Sequence, residues 1–265
     1  MKYINVEEFD VNFPDKAPLK DFFLLTGGFL AVLFILFLIS GFFVDSIIYS
    51  LPESISAKIE SKIMNTANFQ KINFSKYSLA EENKLQKIVN FLTSGDKKLQ
   101  NRKFKVFVVH SKEVNAFAIP GSKILVTDSL LKEIDNKNEI NFVLAHELGH
   151  FAHKDHLKSL GRQFILLGLS TVFLGENSSA TNFLINSIGK MELKYSQKQE
   201  LKADLFAVDL LYKKYGDAEC AIAFMKKISG KNKLDKFVYF FATHPHPEVR
   251  IDAIKNEINR LKYNT

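Results

Sequence analysis

Four of the chain's seven histidines lie within eleven positions, in the stretch VLAHELGHFAHKDH that ends at His156. His146 and His150 are four residues apart with Glu147 between them, the pattern H-E-x-x-H. On a helix, positions i and i+4 project from the same side, so both imidazoles can bind one metal ion. The glutamate beside them can accept a proton from water that zinc has acidified, the chemistry of peptide hydrolysis. The stretch therefore predicts a catalytic zinc site with Glu147 as the general base.

A catalytic zinc ion usually takes three protein ligands, so a third must lie elsewhere. His156 is ten residues after His146, where the metzincin pattern has its third histidine, but that pattern has glycine at the position of His153. If the helix continues instead of turning, His156 is displaced by about 15 Å along the axis from His146. The alternative third ligand is Glu200, in YSQKQELKADLFAVDLL.

Glu200 and Asp204 are again four residues apart on a predicted helix, with the small Ala203 beside them. In this interpretation Glu200 binds the metal, and Asp204 accepts a hydrogen bond from the far nitrogen of a ligand histidine. A solvated helix face is the alternative, because Lys198 and Lys202 are close in sequence. A histidine pair that lacks a third ligand favours the metal-binding interpretation.

An uncharged run of 23 residues, FFLLTGGFLAVLFILFLISGFFV, extends from Phe22 to Val44. As a helix it would be roughly 34 Å long, enough to cross a hydrocarbon core of about 30 Å. The polar residues 1–21 before it and the lack of a small-x-small cleavage pattern disfavour a signal peptide. We expect a single-pass inner-membrane protein, with the lysine distribution favouring a periplasmic catalytic domain. A second apolar run, FILLGLSTVFL, has 11 residues and is predicted to be a core or interfacial helix.

The remaining pattern predicts a mainly α fold with one small β-sheet. Residues 45–103 read as a helical linker region that contains two amphipathic helices. Residues 104–265 form the predicted catalytic domain, which starts with the β-type runs KFKVFVVH and KILVT. Pro120 and Gly121 mark a turn between these runs, and the pattern is helical from Ser129 almost to the end.

Charge and cysteine content limit the classes of binding partner and metal site that the sequence allows. The net charge is +7, and residues 1–44 have three lysines against five acidic residues, so the basic excess lies in the rest of the chain. A basic body beside a membrane helix predicts contact with membrane lipid, and no nucleic-acid-binding motif is present. The single Cys220 excludes an internal disulfide and a cysteine zinc site. No sequence pattern predicts an oligomeric state.

Four blocks in order, NAFAIPGSKILVTDSLL, LAHELGH, YSQKQELKADLFAVDLL and THPHPEVRI, resemble the membrane-associated gluzincin zinc metallopeptidases that include HtpX and the CaaX prenyl endoproteases. The blocks cover roughly Phe104 to the C-terminus. The resemblance implies a zincin-like metallopeptidase domain behind an N-terminal transmembrane helix, of the single-anchor type. It implies one Zn²⁺ ion with the ligands His146, His150 and Glu200, and Glu147 as general base.

The resemblance also implies roles in substrate binding. Asn115, Ala116 and Phe117 would line the cleft as a strand that pairs with an extended protein or peptide substrate. His244 would donate a hydrogen bond to the developing oxyanion. The implied function is a membrane-anchored zinc endopeptidase that cleaves misfolded or membrane-associated proteins in quality control. The alternative is a catalytically silent member that acts as a chaperone or scaffold.

Overall fold

The computed structural model of the chain describes residues 18–64, 79–189, 195–230, 237–244 and 247–263. These residues form eleven helices and one three-stranded sheet, which confirms the predicted mainly α fold class. The strands are β1 (Lys105–Val109), β2 (Ala116–Ile119) and β3 (Lys123–Thr127). The helices are α1 (Pro18–Ser50), α2 (Glu53–Met64), α3 (Leu79–Thr93), α4 (Asp128–Glu133), α5 (Lys137–Ala152), α6 (Asp155–Leu174), α7 (Ser179–Gly189), α8 (Gln197–Tyr215), α9 (Glu219–Ile228), α10 (Val238–Thr243) and α11 (Pro247–Tyr263).

Two of the described helices, α1 and α6, are long and apolar enough to cross a membrane by length and composition. The uncharged run 22–44 lies entirely within α1, as predicted. The second apolar run is the C-terminal half of α6, a helix of 20 residues, and its assignment as a core or interfacial helix stays a prediction. Helix α6 begins nine residues before the apolar run, because the charged side chains of its first half are paired within the protein. Asp155 contacts His150, and Arg162 pairs with Asp45.

The chain divides into two compact units, Met1–Phe42 and Phe43–Thr265. In the second unit the strand order is β1–β3–β2, with β1 parallel and β2 antiparallel to β3, so β2 is an edge strand of the described sheet. Every residue from 141 to 150 in α5 is buried, which makes this helix the centre of the fold. Helix α3 buries Leu85, Val89 and Leu92 in the same core. The predicted domain boundary at residue 104 stays a prediction, since α3 shares this core.

Helices α5 and α8 pack with their backbones almost in contact. A Cβ atom on Gly149 would lie 2.9 Å from the Cα atom of Ala203, closer than real Cβ contacts. Glycine at one position and alanine at the other therefore allow this approach. Ser196 caps α8 through a reciprocal pair of hydrogen bonds with Gln199, which places Glu200 in the first helical turn. The close pairing brings the acidic positions of α8 next to the histidines of α5.

Glu60 joins α2 to the rest of the second unit. Its buried carboxylate accepts hydrogen bonds from Arg102 Nη1 at 2.9 Å and from the backbone N–H of Gly121 at 2.8 Å. The Nε2 atom of His156 lies 2.8 Å from the same carboxylate. Burial by itself would raise the pKa of Glu60, but His156 and Arg102 outweigh it and lower the pKa to about 2. The ionised carboxylate therefore stabilises the contacts of α2.

We expect Glu60→Gln to lower the free energy of unfolding by about 3 kcal/mol at pH 7, because it removes a buried anion from beside the Arg102 guanidinium. The wild-type contribution should be fully present above pH 4.5 and decline as the pH falls towards 2, because the folded-state pKa is the lower one. Denaturant unfolding at several pH values measures both effects. Glu81→Gln, which breaks the exposed pair with Lys84, serves as the control with a much smaller expected loss. Equal losses for both variants would contradict the role of Glu60.

Candidate metal centre

Four buried side chains bring one ligand atom each into a single group, in which all the atoms lie within 4.8 Å of one another. They come from α5, α8 and the residue that follows α10: His146, His150, Glu200 and His244. No side chain of the group is more than 3% exposed. The histidines of the H-E-x-x-H pattern and the glutamate 50 residues later therefore meet in the folded chain.

The donor atoms face one another at short range. The Nε2 atoms of His146 and His150 are 3.1 Å apart. Glu200 Oε1 lies 3.3 Å from His150 Nε2, and Glu200 Oε2 lies 3.5 Å from His146 Nε2. Two imidazole nitrogens and a carboxylate are a donor set that catalytic zinc takes. The residues present thus fit one zinc ion.

Carboxylates orient the two histidines of α5. His146 Nδ1 lies 2.9 Å from Asp204 Oδ1, and His150 Nδ1 lies 3.1 Å from Asp155 Oδ2. A carboxylate on Nδ1 fixes the tautomer that leaves Nε2 free to bind a metal. The sequence carried no clear signal for Asp155. Its position depends on the turn between α5 and α6, where Lys154 has the left-handed φ of 56°.

Arg250, on α11, links Glu200 and Asp204 of α8. Its guanidinium donates to Asp204 through Nε at 2.5 Å and Nη2 at 2.7 Å, and to Glu200 through Nη1 at 2.7 Å. Burial opposes ionisation of Asp204, but the charge and hydrogen bonds of Arg250 lower its pKa. Burial likewise opposes ionisation of Glu200, and the charge of His244 with hydrogen bonds from the neighbouring histidines holds its pKa well below the usual range. Glu200 therefore belongs to the group as a carboxylate, the form that binds a cation.

Glu147 differs from these carboxylates in the surroundings of its oxygens. Both are buried, and neither has a hydrogen-bond partner among the described residues. His244 Nε2 lies 3.6 Å from Glu147 Oε1. A buried polar group without a partner is rare in proteins and is often associated with a functional role.

The residues expected to bind substrate lie beside the metal centre. His244 Nε2 is 3.4 Å from the carbonyl oxygen of Ala116, at the start of the edge strand β2. Asn115 precedes the strand, where its backbone N–H donates to Thr127 Oγ1 and its side-chain oxygen accepts from the Ala116 N–H. Phe117 is half-buried in β2. The structure thus brings the predicted substrate strand and His244 together.

The sequence did not indicate two features of the site. The Nδ1 atom of His244 belongs to the donor group, 3.3 Å from His146 Nε2, whereas sequence reasoning considered only a hydrogen-bonding role for this ring. The ring of Tyr195 stacks on His150 with a centroid separation of 3.9 Å. The rival third ligand His156 lies outside the group, against Glu60.

A His-Glu-x-x-His helix that packs against a helix with a metal-binding glutamate is typical of zinc metallopeptidases. Comparison with known families agrees with this class. The sequence pattern of peptidase family M48 matches residues 79–258, and the chain belongs to that family. Members of this family use zinc, and the buried group of three histidines and one glutamate is compatible with one ion.

The chain is similar to several named proteases. It is 23% identical over 171 residues to the beta-barrel assembly-enhancing protease of Yersinia pestis, with 60% of this chain and 35% of that protein covered. It is 24% identical over 178 residues to the protein of the same name from Escherichia coli K12, with the same coverage. It is 24% identical over 161 residues to the mitochondrial metalloendopeptidase OMA1 of Schizosaccharomyces pombe, with 59% of this chain and 47% of that protein covered. The chain thus spans between a third and half of these relatives' lengths.

Proposed function

We propose that the chain is a membrane-anchored zinc endopeptidase that hydrolyses peptide bonds with Glu147 as general base. One observation carries the proposal: a zinc-compatible donor group lies beside a buried carboxylate without a hydrogen-bond partner among the described residues. We assign His146, His150 and Glu200 as ligands, Asp204 as the residue that orients His146, and His244 as a donor to the oxyanion. Membership of a peptidase family supports the reaction class.

The reaction requires a base, a polarised carbonyl and a bound substrate. A zinc ion held by His146, His150 and Glu200 would lower the pKa of a water molecule to about 7 and would polarise the scissile carbonyl. Glu147 accepts the proton of the attacking water and delivers it to the leaving amine. The edge strand β2 pairs with the extended substrate backbone, and Asn115 holds the start of that strand in place. For water to approach, the His244 Nδ1 atom must leave the donor group, which frees the ring to donate to the oxyanion.

Helix α1 is proposed as the anchor. Its large apolar side chains are exposed, with Phe23 at 68% and Phe42 at 73%, a pattern that suits lipid and is unfavourable in water. We place the catalytic domain on the periplasmic side of an inner membrane from the lysine distribution. The proposed substrates are misfolded or membrane-associated proteins. The relatives named for beta-barrel assembly enhancement are consistent with a quality-control role.

Removal of zinc tests the proposal. The purified full chain should contain one zinc ion per molecule and cleave unfolded casein. A chelator such as 1,10-phenanthroline should stop the cleavage, and added zinc should restore it, because the ligands remain in place. The dialysis buffer, which contains the chelator but no protein, serves as the blank for the zinc and cleavage measurements. Undiminished cleavage by protein shown to be zinc-free would contradict the proposal.

His244→Ala tests the proposed oxyanion donor. We expect zinc content to stay at one ion, because three donors remain, and the cleavage rate to fall by about 10²–10³, the effect of losing one oxyanion donor. Zinc analysis and casein cleavage measure the two quantities on the same sample. Faster cleavage by the variant would instead show that the ring hinders the reaction from its place in the donor group, where its Nδ1 atom lies 3.3 Å from His146 Nε2.

A further inference from the structure

Away from the metal centre, the second compact unit contains a cavity of about 730 Å³ with four lysines in its wall. This volume lies within the range of small-molecule sites, about 300–1,000 Å³. Among the described residues, Glu53 is the one carboxylate in the lining, and it pairs with Arg102. The lysines come from the segment after α3, the turn between α5 and α6, and α8: Lys97, Lys98, Lys154 and Lys202.

The positive charge of this cavity is not neutralised by the part of the chain that the structure describes. Lys97 and Lys202 are exposed, and neither has a carboxylate there within salt-bridge distance. The Lys98 ammonium lies 5.6 Å from the ring centroid of Phe206, and Lys154 donates to the backbone carbonyl of Leu51. These contacts leave all four charges in place. The cavity therefore favours an anionic ligand.

The cavity lies where the proposed membrane anchor ends, so this step rests on the proposed anchoring by α1. Tyr49 lines the cavity and follows Val44, the last residue of the uncharged run, by five residues. Five residues correspond to about 7.5 Å along a helix. The polar headgroup layer extends roughly 5–8 Å beyond the hydrocarbon core on each side. Tyr49 is 76% exposed, and tyrosines are enriched at membrane interfaces.

We propose that this cavity binds the phosphate group of an anionic phospholipid, such as phosphatidylglycerol, from the membrane that holds α1. Lysine ammonium groups attract a phosphate by their charge, and each basic residue near an anionic surface strengthens the attraction. The apolar side chains of Leu205 and Phe206, which also line the cavity, offer contacts for the glycerol and the first methylene groups. Ala152 ends α5 and Lys202 belongs to α8, so the headgroup contacts both helices that carry the metal donors.

The test measures the thermal unfolding midpoint of the full chain in a non-ionic detergent. The probes are dihexanoyl-phosphatidylglycerol, dihexanoyl-phosphatidylcholine and inorganic phosphate at equal concentration. A ligand at a hundred times its Kd should raise the midpoint by about 5 °C. We expect this shift with the phosphatidylglycerol alone, and a smaller shift in high salt, because salt screens the charges. A comparable shift with phosphatidylcholine or with inorganic phosphate would overturn the proposal.

The matched variants remove two positive charges each. Lys97→Gln/Lys202→Gln changes two cavity lysines, whereas Lys87→Gln/Lys226→Gln changes two exposed lysines on α3 and α9, outside the cavity. The first variant should lose most of the shift and the second should keep it. Equal shifts in both would overturn the proposal. No measurement here depends on proteolysis, so its outcome is separate from that of the proposed peptidase activity.

Discussion

Glu147→Gln should reduce casein cleavage by about 10²–10⁴, the usual contribution of a general base, while the zinc content stays unchanged. Glutamine has the same shape but cannot accept the proton of the attacking water. Both oxygens of Glu147 lack hydrogen-bond partners among the described residues, so the substitution breaks no hydrogen bond there. Initial cleavage rates and zinc per chain, measured on the same preparation, give the result.

The control is Glu176→Gln, at an exposed position after α6, which should cleave at the wild-type rate. Circular dichroism should show the same folded content in all three proteins. Equal cleavage by wild type and Glu147→Gln would contradict the mechanism. If neither protein cleaves although both hold zinc, the silent chaperone or scaffold becomes the better interpretation, and a zinc store would behave in the same way.

Glu200→Ala should lose zinc, whereas His156→Ala should keep it. Glu200 supplies the anionic donor of the group, at 3.3 Å from His150 Nε2, and its removal also leaves the Arg250 guanidinium with one acidic partner fewer. Loss of a ligand should cost more than the 10–100-fold loss of affinity that follows removal of an orienting residue. His156 instead contacts Glu60, so its removal should lower the unfolding midpoint without changing the zinc content.

The measurement is the zinc content per chain after dialysis against a weak chelator, at a temperature below the unfolding midpoint of each variant. It distinguishes zinc loss by Glu200→Ala from zinc retention by His156→Ala. Asp204→Asn provides an intermediate case, because it weakens the orientation of His146 but leaves every donor atom in place. Its zinc content per chain should lie between those of wild type and Glu200→Ala. The reverse pattern, with zinc lost from His156→Ala and kept by Glu200→Ala, would restore the metzincin assignment. Zinc kept by Glu200→Ala but lost after additional removal of His244 would show that this ring replaces the glutamate.

Local patterns were sufficient for much of the fold. The uncharged run gave α1, and the i, i+4 spacing of His146 and His150 put two imidazoles on one side of α5. Both results follow from helix periodicity and from the length of an apolar run, which depend on neighbouring residues alone. The mainly α class with one small sheet is confirmed for the same reason. The membership of peptidase family M48 agrees with the ordered motifs.

Spacing alone could not decide which distant residues meet. The sequence offered His156 and Glu200 as rival partners of the histidine pair, and the difference depends on a turn at Lys154 and on close packing at Gly149. Periodicity predicts neither a non-glycine residue in the left-handed conformation nor a backbone contact between two helices. Both features depend on the complete core.

The sequence by itself determined three features: a histidine pair with its glutamate, an apolar helix of membrane length, and an excess of basic residues after that helix. Only the tertiary structure decided that His244 joins the donor group, that Asp155 orients His150, and that the carboxylate of Glu60 is buried. The physical reason is the range of the interactions. Helix formation and apolar runs depend on residues a few positions apart, whereas a metal group assembles side chains that lie between 4 and 98 residues apart and meet only when the core packs.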